Sequence, residues 1–423
     1  MITIGLDFGT HQSKICIEDK KGVELSYSFF QFSDTHGKKQ YILPSIIRIN
    51  PDSRLEYGYL KDNGEGKIIR YFKQATFCTQ NSAYLSANEG KLFSIWYLAN
   101  ILFDLEEIYG TEFVVQMGAP TDTANLQRMK AIAVEILASA YHLVEDVYEN
   151  DKENFLNTTY EELVEKTTII PYSKEVKEEY GILVFPEAYA CLMPLVKTSK
   201  IASGMSLMVD IGGGTTDISF FTIENGGPQV YAFYSINKGL NFLIDAENKD
   251  IAQLDSNVKS EQEIHPTRRN LFRNSINATC QDLIGKLQKH FRKQTKLQVH
   301  RLMDALKTRP IIYTGGGSTF PSLRERHAGF RDKIHISEKE WRTRSVKDLD
   351  IIIKQGLCPI LSTAYGLSIS VPHDNIKCHP LPDIFRNIRG AEEEEKKAYK
   401  PYRYGTAVSE SGFSYADDYD AWK

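Results

Sequence analysis

The strongest constraint on this chain is a pattern that it carries twice. Residues 2–17 read "ITIGLDFGTHQSKICI" and residues 206–221 read "SLMVDIGGGTTDISFF". In each, an apolar, β-rich run ends at an aspartate, passes through a glycine and threonine loop, and returns as a second β-rich run. That is the signature of a β-hairpin. The aspartates are Asp7 and Asp210. The copies stand about half the chain apart, and 423 residues are too many for one ordinary core. Two related halves are therefore expected, rather than a short-period solenoid.

The remaining patterning alternates strands with helices, which predicts an α/β architecture. Residues 43–60 and 112–118 read as strands. A helix is expected from a cap at Thr121 or Asp122, with apolar Leu126, Met129, Ile132, Ile136 and Leu143 at helical spacing. The polar, acidic stretch 150–180 holds a short helix near 173–180. "GILVFPEAYACLMPLV" predicts a strand and then a helix beginning at Pro186, where proline suits a first turn. Residues 267–295 read as a long basic amphipathic helix, and "PIIYTGGGSTFPSL" as strand, glycine turn and helix. Residues 359–371 are a late apolar helix or strand. The expected division is a first half over 1–185, a second over 186–380, and a largely disordered tail over 381–423 that is charged and poor in aliphatics. The segment near 359–375 is expected to pack back on the first half.

Composition excludes several classes. A formal charge of -4 leaves no nucleic-acid or membrane-surface footprint. No run reaches the ~18 apolar residues of a membrane span. The six cysteines contain no CxxC pair and several lie in apolar runs, so buried, inert thiols in a reducing compartment are expected. The strand-like "MITIGLDFGT" is unlike a signal peptide, which adds to the expectation of a cytoplasmic protein.

Carboxylates beside glycine loops have a chemical logic. Backbone N–H groups in a tight turn form an anion-binding concavity, and glycine lets a phosphate approach closely. Aspartates repel phosphate but suit magnesium, a hard ion that keeps most of its waters. Asp7, Gly9 and Thr10 in one hairpin, and Asp210 with Gly212, Gly213, Gly214, Thr215 and Thr216 in the other, could clamp a nucleotide's phosphates from both sides. A plain Asp-capped glycine turn explains either hairpin taken alone. The pair, joined by a third glycine loop at 315–317, is harder to explain that way. Neither GxxxxGK[ST] nor a GxGxxG opening a βαβ unit is present.

These segments resemble the ATPase superfamily of actin, hexokinase and the seventy-kilodalton heat-shock chaperones. "LDFGTHQSKICI" is similar to its first phosphate motif and "MVDIGGGTTDISFF" to its second. "FPEAYACLMPL" and "STAYGLSI" resemble the two connecting helices, and "IIYTGGGSTFPSL" the adenosine motif. The likeness runs from residue 1 to about 375 and is strongest to the chaperone branch, because "GGST" is followed by a proline.

The resemblance implies duplicated ribonuclease-H-like lobes with ATP or ADP and Mg²⁺ in the cleft between them. It implies that Asp7 and Asp210 hold magnesium through waters, and that Glu187 helps position those waters. Phosphates would lie on Gly9, Thr10, His11 and Gln12 and on Gly212 to Thr216. Thr215 and Asp217 would orient the attacking water, and Lys73 in "IIRYFKQATF" would stand over the γ-phosphate. Gly315, Gly316, Gly317 and Ser318 would line the adenosine side. A solvated helix lysine is the plain alternative for Lys73, and a first-turn acid suited to the helix dipole that for Glu187.

The chain also departs from the chaperones. Phe320 replaces an arginine, His11 and Gln12 replace Thr and Tyr, and only "NKGLNFLID" stands for the Gly-Gly-Glu-Asp-Phe-Asp segment. No peptide-binding domain follows, so the expected protein is a stand-alone ATP-driven switch acting on a protein partner or client. A filament-forming actin-like ATPase, a small-molecule kinase with the same fold, and a binder that senses nucleotide without hydrolysis are the alternatives. The aromatic, acidic tail ("KPYRYG", "SYADDYDAW") reads as solvated chain or as a docking segment.

Overall fold

The structure, a computed structural model, describes residues 1–61, 64–77, 85–121, 125–195, 206–224, 227–236, 238–244, 260–291, 310–324, 332–335, 341 and 345–370. Cys78, Asp122, Cys378 and the whole of 371–423 lie outside the described residues.

The chain is mixed α/β and builds two principal mixed sheets. The first contains β1 (Ile2–Asp7), β2 (Gln12–Lys21), β3 (Glu24–Phe29), β4 (Phe113–Ala119) and β5 (Ile182–Pro186), in the order β3-β2-β1-β4-β5. The second contains β6 (Ser206–Ile211), β7 (Thr216–Glu224), β8 (Gly227–Ile236), β9 (Pro310–Thr314) and β10 (Asp332–His335), in the order β8-β7-β6-β9-β10. In both, the first three strands in sequence run antiparallel and the last two join parallel to the first. The second sheet thus repeats the order and sense of the first. Both expected hairpins form, as β1/β2 and β6/β7. β1 and β6 are central and covered on both faces, which explains their nearly unbroken apolar runs.

The expected single strand over 43–60 is three short ones, Leu43–Pro44, Ile47–Ile49 and Leu55–Tyr57. The helices that place the cavity are α1 (Phe72–Phe77), α2 (Ala87–Tyr109), α3 (Leu126–His142), α4 (Glu187–Leu192), α5 (Pro266–Phe291) and α6 (Cys358–Ser368). α2 is absent from the patterning-based expectations for a physical reason. Its residues Phe93 to Leu105 are buried on nearly every side, so no polar stripe marks a period. Its start is nevertheless written in the sequence as a capping box. Ser86 Oγ accepts from the Glu89 N–H, and Glu89 accepts from the Ser86 N–H at 2.9 Å. α3 begins at Leu126. Thr121 does not cap it: its Oγ1 accepts from the Ala188 N–H at 3.0 Å, at the start of α4.

Each sheet has its own core. One gathers Ile4, Leu6, Phe72, Trp96, Leu102 and Ile136; the other gathers Leu207, Val209, Phe220, Phe272 and Ile311. α6 packs on the first sheet, where Leu361, Ala364 and Tyr365 meet Cys16, Tyr27 and Phe29. α4 packs on the second, where Ala188, Cys191 and Leu192 meet Met208, Phe221 and Ile312. The two helices also pack on each other. A Cβ on Gly366 would lie 1.7 Å from the Ala190 carbonyl oxygen, so only glycine allows that crossing. Cys16, Cys191, Cys280 and Cys358 are buried, as expected.

Candidate functional site

The turns of both hairpins open onto one cavity of about 370 Å³, within the range typical of ligand pockets. Asp7 and Asp210 both line it, as do Gly9, Thr10, His11 and Gln12 from the first turn and Gly212, Gly213, Gly214 and Thr215 from the second. α1 contributes Lys73, α4 contributes Glu187, β7 contributes Asp217, and the third loop contributes Gly315 and Gly316. Gly317, Ser318 and Thr216 stand behind this surface. Gly317 packs on Ile211, Ser318 Oγ donates to the Gly315 carbonyl at 2.7 Å, and Thr216 Oγ1 donates to the Lys238 carbonyl at 2.8 Å.

Each turn is tied from outside through its carbonyls. In the first, Ser45 Oγ donates to the Gly9 carbonyl at 2.7 Å and the Ser45 N–H donates to the His11 carbonyl at 2.8 Å. In the second, the Leu240 and Asn241 N–H groups donate to the carbonyls of Gly212 and Gly213 at 3.0 and 2.9 Å. A trans peptide sends its N–H opposite to its C=O. The amides of Thr10 and Gln12, and those of Gly213 and Gly214, are thereby aimed away from these ties. This is how a backbone anion nest is built. Ser45 and the 240–241 segment carry no local signal of this role, because the contacts cross 28 residues or more of chain.

The two hairpins differ in what faces each aspartate. Lys14 stands opposite Asp7 across β1/β2 and pairs with it at 2.9 Å. Asp217 stands opposite Asp210 across β6/β7. Lys14 is a site residue that motif reading misses; its signal was its register, seven positions after Asp7. Lys73 and Glu187, from different halves of the expected division, form an ion pair at 2.6 Å, with only 7% and 17% of their side chains exposed.

The cavity lining therefore contains four carboxylates, Asp7, Glu187, Asp210 and Asp217, against two lysines, Lys14 and Lys73. The surplus falls on the second hairpin. Burial, with Asp217, Asp7 and Glu187 nearby, pushes the Asp210 carboxyl up to about 8. Burial and Glu187 push Asp217 up to about 7. Asp217 Oδ1 has no hydrogen-bond partner among the described residues. Among the described residues no group of three or more His, Cys, Asp or Glu side chains is arranged to hold a metal directly. Asp7 and Asp210, lining one cavity, could hold a hydrated divalent cation through its waters, as magnesium prefers.

In the third loop, Gly315 has φ +79, and a Cβ there would meet Asp210 Oδ1 at 2.2 Å. The loop is thus folded against the second hairpin's aspartate. His11 is buried. Burial, with Arg70 and Lys14 nearby, lowers it to about 4, so its ring is neutral near pH 7.

No protein-family model matches this chain, and no curated protein matches it. Among the described residues no helix is long and apolar enough to cross a membrane.

Proposed function

We propose that this protein is a magnesium-dependent ATPase of the actin, hexokinase and heat-shock chaperone superfamily, with duplicated ribonuclease-H-like lobes, acting as an ATP-driven conformational switch in the cytoplasm. One observation carries this reading. Two glycine turns, each tied back through its carbonyls, open with their aspartates onto a single cavity. The shared strand order of the two sheets supports the duplicated-lobe assignment.

Phosphoryl transfer needs positioning and charge neutralisation more than covalent help. The amides of the two turns would receive the phosphate oxygens. Asp7 and Asp210 would hold the hydrated magnesium, and Glu187 would order its waters. When bound, magnesium offsets charge on the β- and γ-phosphates. Lys14 and Lys73 supply the protein's own positive charge. Asp217 would accept a hydrogen bond from an attacking water, and Thr215 lines the same cavity. Gly315 and Gly316 would border the nucleoside. α4 and α6, packed on opposite sheets and on each other, are the elements through which closure would be passed to a partner protein.

The test is turnover of Mg²⁺-ATP by the purified chain, with sedimentation run in parallel. Slow release of phosphate, lost in Asp210→Asn, with no pelleting, supports a switch. Pelleting on ATP addition would instead favour an actin-like filament, and strong stimulation by one sugar a kinase. Absence of ATP and ADP binding by calorimetry rejects the reading.

A further inference from the structure

The nucleotide reading uses His11 as part of the first turn and leaves the position of its ring unexplained. Its ring leaves the first turn and lies on the second. A Cβ on Gly213 would come within 2.4 Å of His11 Nδ1, and one on Gly214 within 3.3 Å of His11 Cε1. The ring is therefore stacked on the two residues whose amides are aimed away from the 240–241 tie. Neither ring nitrogen meets the geometry of a hydrogen bond, although Asn241 lies near enough to interact with the ring. A buried imidazole left without good partners costs free energy, so its position calls for a reason other than its own hydrogen bonding.

That position is held from the side. Tyr71 meets the ring edge-on, with centroids 5.2 Å apart at 83°. Tyr71 has φ +62, a left-handed conformation costly for an aromatic residue, and it immediately precedes α1, which carries Lys73. Its hydroxyl accepts from Asn241 Nδ2 at 2.8 Å, and Asn241's own N–H ties the Gly213 carbonyl. His11, Tyr71, Asn241 and the second glycine turn form one closed set of contacts across the gap between the hairpins.

The two turns meet here: a Cβ on Gly214 would lie 3.5 Å from Thr10 Cγ2 as well as 3.3 Å from His11 Cε1, so a phosphoryl group gripped by both turns has to part them where the His11 ring lies. We infer that His11 is a specificity-determining plug over the second glycine turn, which a nucleoside triphosphate must displace to seat its terminal phosphate, whereas a diphosphate engages the cavity without displacing it. This rests on the nucleotide reading above. Tyr71 and Asn241 are positioning residues, acting through the ring. The displaced state is the minor one in the free protein, so triphosphate affinity is reduced by its population and diphosphate affinity is not.

Calorimetry with ADP and with a non-hydrolysable ATP analogue, both with magnesium, tests it. His11→Ala is expected to tighten the triphosphate analogue about tenfold relative to ADP. Tyr71→Phe, which removes the hydroxyl that Asn241 holds, is expected to move the same ratio in the same direction by less, and it carries the test if His11→Ala does not fold. A general loss of stability would weaken both ligands alike and leave the ratio fixed. An unchanged ratio in the folded variants, or one that falls, overturns the plug and leaves the nucleotide site standing. Failure of the wild type and both variants to bind either nucleotide overturns the site itself, and the plug with it.

Discussion

Asp210 and Asp217 stand directly opposite each other across the second hairpin, two carboxyls where the first hairpin pairs Asp7 with Lys14. Like charges in register across a ladder destabilise it. Here that surplus of carboxyls lines the cavity, and titrating groups perturbed in this way cluster at functional sites.

The pH dependence follows from this pair. Both carboxyls titrate higher when folded, at about 8 and about 7, than in the unfolded chain, near 3.9. The folded state then binds more protons, so stability is full below about pH 4 in these terms and falls as pH rises toward the folded values. Without divalent cations, the thermal midpoint should drop between pH 5 and 8.5. The midpoint of Asp217→Asn should drop less, and at pH 8.5 the variant should be more stable than the wild type by on the order of a few kcal/mol. Melts across that range check it, and parallel curves for the two proteins would refute it. Added Mg²⁺ should raise the wild-type midpoint at pH 8.5 more than that of Asp210→Asn.

The ion pair between Lys73 and Glu187 joins residues 114 positions apart. Glu187→Gln removes its charge and releases Lys73. Turnover should fall by about tenfold or more, while ADP binding without magnesium should hold or tighten. Steady-state kinetics beside calorimetry separate the two effects. A variant with wild-type turnover would remove Glu187 from the chemistry.

Gly315 and Gly316 are adjacent but unequal. At Gly315 a side chain meets both a φ of +79 and Asp210 Oδ1, whereas the nearest atom to a Cβ on Gly316 is Leu240 Cδ1 at 3.8 Å. Gly315→Ala should cost about 2–3 kcal/mol and Gly316→Ala under about 1 kcal/mol. Denaturant titration of the pair measures the difference, and similar midpoints would contradict the loop geometry.

Gly366→Ala offers a case where two effects oppose. Alanine gains about 1 kcal/mol over glycine by helix propensity. At this crossing its Cβ would overlap the Ala190 carbonyl, where backbone must move, at about 3 kcal/mol or more. The clash should win, with a net loss of stability and a weakened contact between α4 and α6. A stabilised variant would show that the two helices are not packed this closely.

Much of the site was legible as local pattern. Asp7 and Asp210 at the strand ends, the glycine turns between the hairpin strands, and Glu187 at the start of α4 each follow from residues a few positions apart. Lys14 was hidden because a lysine inside a strand reads as a solvent-facing residue until its cross-strand partner is known. α2 was hidden by its own burial, and Ser45 by being one serine among many.

By itself, the sequence determined the two hairpins, the alternation of strands with helices and the chemical character of the turns, because alternation, breakers and caps act through sterics and hydrogen bonds over a few residues. Only the tertiary structure decided that two aspartates 203 positions apart share a cavity, that Ser45 and Leu240–Asn241 tie the turns, and that His11 lies on Gly213. Those relations depend on how two sheets and two crossing helices pack, and packing brings together residues that no short window of the chain contains.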